Sequence, residues 1–158
     1  MDKATAAGAP RLRDHGAAPE LRGITEWINS PPLTLAGLRG TVVLVHFWTF
    51  DCINCRHVQP FVKRSYEAYA RDGFTVIGIH TPELEIERDP ANVRAAVRDA
   101  GVTFPVAIDP TSATWNAYRN RYWPAFYYAD RRGHVRFTHF GEGAYDEQEQ
   151  VVRTLLAD

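Results

Sequence analysis

The chain has 158 residues, 45% apolar and 23% charged, and its 18 basic and 19 acidic side chains leave a formal net charge of −1. That size and balance predict one soluble domain around a single core. No block of like charge stands out, so composition gives no footprint for nucleic acid or an anionic membrane.

Residues 1–18 are small, polar and rich in Gly and Ala, and read as a mobile tail. They contain no apolar stretch of a secretory leader. Residues 19–158 read as the folded domain, with order expected from about 21–27. Pro31 and Pro32 break the chain, and 33–40 makes a short irregular or helical piece. Residues 41–48, TVVLVHFW, are β-branched and aromatic and predict a buried central strand. His46 interrupts this apolar run, which is far shorter than the roughly 20 residues of a membrane-spanning helix. From 52 to 71 the pattern turns helical, with Val58, Phe61, Val62, Ser65, Tyr66 and Tyr69 on one face. Pro60 should kink this helix and Gly73 should end it.

Residues 74–80 predict a second buried strand and 81–89 a polar loop. Pro90 opens a helix running to Ala100. A short strand is expected at 104–109 and a short helix at 111–118. Strands at 125–129 and 135–140 form a hairpin turning at 130–133, and 144–156 is a final amphipathic helix. The order β–α–β–α–β–α–β–β–α predicts an α/β fold, with parallel strands joined by crossover helices and an antiparallel hairpin at one edge.

The chain has two cysteines, Cys52 and Cys55. Cross-linking so small a loop adds little stability, so the pair points to chemistry. A CxxC directly after a strand and opening a helix is the setting of a redox dithiol. Unpaired N–H groups at the helix N-terminus favour a thiolate at Cys52, the expected nucleophile. Cys55, one turn further in, is expected to attack the mixed disulfide formed at Cys52. Asp51 opposes the Cys52 thiolate and Arg56 favours it. A structural zinc site takes four ligands. Here only His46, His57 and His80 could complete one, and a copper carrier using thiolates and a histidine is the related alternative. No metal is expected, and no cofactor beyond the redox-active Cys52–Cys55 disulfide.

Residues 43–55, VLVHFWTFDCINC, resemble the active-site strand and motif of thioredoxin-like proteins. Pro60 falls where they place the helix-kinking proline, and 122–126, YWPAF, precedes a strand where they carry a cis-proline. CINC, IHTPE (79–83), PVAID (105–109), TWNAYRNRYWP (114–124) and FGEG (140–143) together resemble a narrower branch. This is the thioredoxin-like domain attached to DipZ/CcdA-type transmembrane electron carriers, near the TlpA and ResA thiol–disulfide oxidoreductases. The resemblance runs from about residue 19 to the end.

It implies a thioredoxin fold, a central mixed sheet flanked by helices, with an insertion at 81–104 after the second core strand. Pro124 would be cis and lie against the cysteine pair, and the Trp123 backbone would pair with a substrate strand. The domain would exchange electrons with protein thiols and disulfides, as a reductant outside the cytoplasmic membrane, with a CcdA-type membrane donor. A monomer is expected. With no leader visible, a cytoplasmic location stays open.

Two positions depart from the family. Thioredoxins keep a buried aspartate six residues before the first cysteine; here His46 stands there. It reads equally as a proton relay or as a core histidine held by a backbone group. The ResA group keeps a glutamate three residues after the second cysteine, where this chain has Val58. Glu83 and Glu142 are the remaining carboxylate candidates for proton handling. Trp48 is expected beneath the active-site helix, and Phe50 and Trp123 are candidates for an apolar rim that binds substrate. The alternative on the same fold is a thiol peroxidase of peroxiredoxin type. Thr49 meets its requirement three residues before Cys52, but Val45 stands where it needs a proline.

Overall fold

Six strands form one sheet: β1 (Glu26–Ile28), β2 (Val42–Trp48), β3 (Phe74–His80), β4 (Val106–Ile108), β5 (Ala125–Ala129) and β6 (Val135–Phe140). The computed structural model describes residues 12–158. The strand order is β1-β4-β3-β2-β5-β6. β2, β3 and β4 are parallel. β1 pairs with β4, and β5 with β2 and β6, in antiparallel fashion. Four helices flank the sheet: α1 (Ile53–Tyr69), α2 (Pro90–Asp99), α3 (Ala113–Ala117) and α4 (Tyr145–Ala157). This is the mixed sheet with flanking helices that the resemblance implied.

β2 is buried over all seven residues because both faces of the sheet are covered. Alternate side chains therefore serve two cores. Leu44 and Trp48 pack with Val58, Phe61 and Val62 of α1, Val93 and Val97 of α2, and Val151, Val152 and Leu155 of α4. Val45 and Phe47 pack on the other face with Ile77, Ile79, Tyr118 and Tyr127. β2 and β3 run in strict register from Val42 opposite Phe74 to Trp48 opposite His80. A Cβ at Gly78 would lie 2.9 Å from the Phe104 ring and 3.0 Å from Trp48 Nε1, so only glycine lets these rings close over β3. α1 ends in a 3-10 turn, Ala70–Asp72, and then Gly73 at φ 97°, a left-handed cap that suits glycine.

Three expectations are corrected. Residues 21–27 gave no strand signal, yet they lead into β1, which is too short to show alternation. The expected tail boundary at 18 is drawn back. His15 and Ala18 donate backbone bonds to Val135 and Gly133 at 2.8 Å each, and Ala17 bridges His134. The rest of that expected tail, 1–11, lies outside the described residues. Finally, the 81–89 loop carries a 3-10 turn, Glu85–Arg88, and buries Thr81 and Glu87. Asp89 then caps α2 by accepting the Ala91 N–H at 2.9 Å.

α4 is fastened to β5 by a fully buried polar pair. Tyr128 Oη donates to Gln148 Oε1 at 2.8 Å, and Gln148 Nε2 donates to Gly143 O at 3.0 Å. Tyr128→Phe leaves the Gln148 oxygen buried without a donor. We expect it to cost about 1–3 kcal/mol in urea unfolding, with Tyr128→Phe/Gln148→Leu recovering part of the loss. A Tyr128→Phe variant as stable as the parent would contradict this role.

Candidate active site

Cys52 is the N-cap of α1, with φ −95° and ψ 120°. Its sulfur accepts the Cys55 N–H at 3.2 Å, so the helix terminus places both thiols on one turn. Cys52 is half-buried and Cys55 is 2% exposed, both as free thiols. Burial pushes the Cys55 thiol well above the usual cysteine range. The Cys52 hydrogen bond and the charges of Cys52 and Glu87 push the same way, against a backbone bond from Thr49. Cys52 is therefore the more accessible thiol of the two, with Cys55 behind it.

The Trp123–Pro124 bond is cis. The Trp123 carbonyl lies 4.0 Å from the Cys52 sulfur, which donates to it. Pro124 is buried and Trp123 half-buried. The Trp123 ring is held by its Nε1–H to Thr81 O, 2.8 Å, and by Trp115 at 4.1 Å. Phe50 is half-buried and stacks on His80 at 5.6 Å. Two exposed apolar residues that sequence reading did not single out adjoin the pair in the chain. Ile53 lies inside the CxxC, 60% exposed, and Tyr122 lies beside Trp123 and packs on Phe140 at 5.2 Å.

The opposed charges beside Cys52 are spent on each other. Arg56 Nη2 lies 3.0 Å from Asp51 Oδ1, and its Nε donates to Phe50 O.

The proton-handling candidates separate. His46 Nδ1 bonds Ala125 O at 3.1 Å and its ring stacks on Phe126 at 4.6 Å. Burial lowers its pKa to about 4, so it is neutral at pH 7. No hydrogen bond joins it to either sulfur among the described residues, which is the arrangement of a core histidine. The Glu83 side chain is exposed. Glu142 pairs on the surface with His57 at 2.9 Å. Val58 is fully buried in the core. The carboxylate that does reach the site is Glu87, which sequence reading missed. It is 1% exposed and accepts the Asp51 N–H at 2.9 Å. His80, also buried, accepts the Phe50 N–H at Nε2, 3.2 Å. Among the described residues no group of three His, Cys, Asp or Glu side chains could hold a metal ion. The Thr49 hydroxyl is buried, 3.3 Å from His80 Nε2, whereas the Cys52 sulfur meets Trp123 and Cys55.

Residues 18–138 match the AhpC/TSA family. The chain belongs to that family, among its thioredoxin-like thiol–disulfide oxidoreductases. It is 49% identical over 154 residues to Protein DipZ of Mycobacterium tuberculosis, covering 96% of this chain and 22% of that one. The chain thus spans about a fifth of the length of that relative. Thiol-disulfide oxidoreductase YkuV of Bacillus subtilis is 29% identical, over 89% of this chain and 94% of its own. The crystal structure of the thioredoxin-like superfamily protein SPOA0173 superimposes with a TM-score of 0.84 at 32% identity, covering 90% of this chain and 97% of that one.

The two buried histidines predict an acid-sensitive fold. Burial lowers the pKa of His80 to about 4 as well, against the pull of Glu87. Both sit below the unfolded value of about 6.5, so their contribution is complete above that pH and is lost as pH falls toward 4. Between pH 6.5 and 5, above the main carboxylate range, unfolding free energy should fall by about 2 kcal/mol per histidine. His46→Phe should roughly halve that slope in urea titrations. An unchanged slope would remove His46 from this account.

Proposed function

We propose that this chain reduces disulfides in other proteins through Cys52 and Cys55, outside the cytoplasmic membrane, and is recharged by a membrane dithiol carrier of CcdA type. The observation that carries the reaction is the asymmetry of the pair: Cys52 reachable at a helix N-cap, Cys55 2% exposed one turn behind it. The Cys52 thiolate attacks a substrate disulfide, and one substrate sulfur leaves as a thiolate. Cys55 gives up its proton and attacks the Cys52 sulfur. The bond from Cys52 to substrate breaks, the second substrate thiol departs, and the Cys52–Cys55 disulfide holds the oxidation. Two electrons have passed to the substrate, and a donor dithiol returns the pair by the same steps reversed.

The Trp123 carbonyl beside the Cys52 sulfur offers a backbone edge on which an extended substrate segment pairs. Ile53, Phe50, Trp123 and Tyr122 supply apolar contact. The envelope location and the membrane donor rest on the similarity to DipZ, of which this chain matches a part. No described helix is long and apolar enough to cross a membrane. The protein acts as a single chain without a metal. A peroxidase reading draws on the family match and on Thr49, but that hydroxyl faces His80 while the Cys52 sulfur meets Trp123 and Cys55, which disfavours it.

Cys55→Ser should trap substrate proteins as mixed disulfides at Cys52, and Cys52→Ser should trap none, as read on non-reducing gels with mass spectrometry. Equal trapping by the two variants would overturn the assigned order. Rapid hydrogen peroxide consumption by the Cys55→Ser protein would favour the peroxidase.

A further inference from the structure

Glu87 is a buried ionisable group that the reaction above leaves unused. Glu87 sits on the 3-10 turn after β3. Its Oε1 accepts the N–H groups of Glu83 and Leu84 at 2.9 and 2.7 Å, and its Oε2 accepts that of Asp51 at 2.9 Å. A glutamate buried without donors would take up a proton. Here burial raises the carboxyl pKa, but the Thr49 hydroxyl and the three backbone N–H groups outweigh it and hold the group below its ordinary range. Glu87 is therefore an anion at neutral pH.

The bonds to Glu83 and Leu84 are local and shape the turn. The bond to Asp51 crosses 36 residues of chain to the position before Cys52. Next to it, His80 Nε2 takes the Phe50 N–H and lies 3.3 Å from Thr49 Oγ1. Thr49, Phe50 and Asp51 are thus gripped in succession by β3 and the insertion. The loop that delivers Cys52 rests on Glu87 and His80.

We propose that Glu87 is the positioning carboxylate of this dithiol: it fixes the loop before Cys52 through the Asp51 N–H and places a buried negative charge one residue from Cys52. This rests on the dithiol reaction proposed above. The Glu87 charge and Cys52 both disfavour a Cys55 thiolate, and forming the mixed disulfide removes the part due to Cys52. Cys55 then releases its proton to water, and its sulfur takes Cys52 from the substrate. The departing substrate thiolate takes up a proton, so charge balances.

The titratable groups around Cys55 are few. Cys52 shares its turn, and Asp51 and Arg56 pair with each other on the exposed side. His46 on β2 and His80 on β3 are neutral at pH 7. Cys52 itself aside, Glu87 is the one full charge among these groups without a charged partner.

The test is the pH dependence of Cys55 alkylation by iodoacetamide in the Cys52→Ser protein, with Glu87, Glu87→Gln or Glu87→Asp. Circular dichroism and thermal melting verify the fold of each. Glu87→Gln should move the midpoint to lower pH and raise the rate at pH 8 by about tenfold. Glu87→Asp, which restores the charge, should stay within about twofold of the parent. An unchanged midpoint in Glu87→Gln, or a shift in Glu87→Asp as large as in Glu87→Gln, would overturn the proposal.

Should Glu87→Gln not fold, the Cys52→Ser protein with 13C-labelled glutamate gives the same answer. Coupled titrations are reciprocal, so the Glu87 carboxyl resonance should shift as Cys55 ionises, and no shift would overturn the proposal. Failure of the dithiol reaction itself would show instead as absent trapping by Cys55→Ser. Failure of the Glu87 role alone would leave that trapping intact.

Discussion

The loop Thr49–Asp51 joins a strand buried on both faces to the N-terminus of a seventeen-residue helix, and its hydrogen bonds to His80 and Glu87 fix where Cys52 stands. β2 cannot slide, because it is locked in register between β3 and β5. α1 is packed on β2, β3 and α4 through Val58, Phe61 and Val62. With both ends immobile, the remaining freedom lies in the three residues between them, and the insertion removes it. This makes the segment after β3 part of the active site rather than an appendage.

The electrostatics follow from the same arrangement. At the surface, Asp51 and Arg56 cancel locally and leave the helix terminus to act on Cys52. On the inside, burial and the anionic Glu87 both disfavour a Cys55 thiolate. A dithiol whose ionised form is poorly stabilised favours the disulfide, and so gives up electrons readily. Oxidising pairs are the opposite case, in which the reduced form is stabilised. The proposed direction of electron flow, toward the substrate, thus has a physical source in where the chain buries its charge.

Much of this was legible in the sequence. β-branched and aromatic runs marked β2, β3, β5 and β6, and the strand-to-helix placement of CINC marked the dithiol. β1 was not legible, because three residues carry no periodicity and its pairing with β4 is wholly tertiary. The 81–89 loop offered Glu83, Glu85, Glu87 and Asp89 with nothing in the pattern to rank them. What selects Glu87 is the 3-10 turn, which points it inward while Glu83 stays in water. One local signal existed: a glutamate three residues after the start of a helical turn reaches back to bond its N–H groups, as Glu87 does to Leu84. His46 stands at the position compared with a thioredoxin aspartate, but it bonds Ala125 O and stacks on Phe126. The buried charge comes from another element altogether.

If this dithiol is a reductant, its equilibrium potential against glutathione at pH 7 must lie on the reducing side. We expect a value more negative than about −230 mV, toward thioredoxin at about −270 mV. A potential near the oxidising value of about −120 mV, typical of a pair whose reduced form is stabilised, would contradict it.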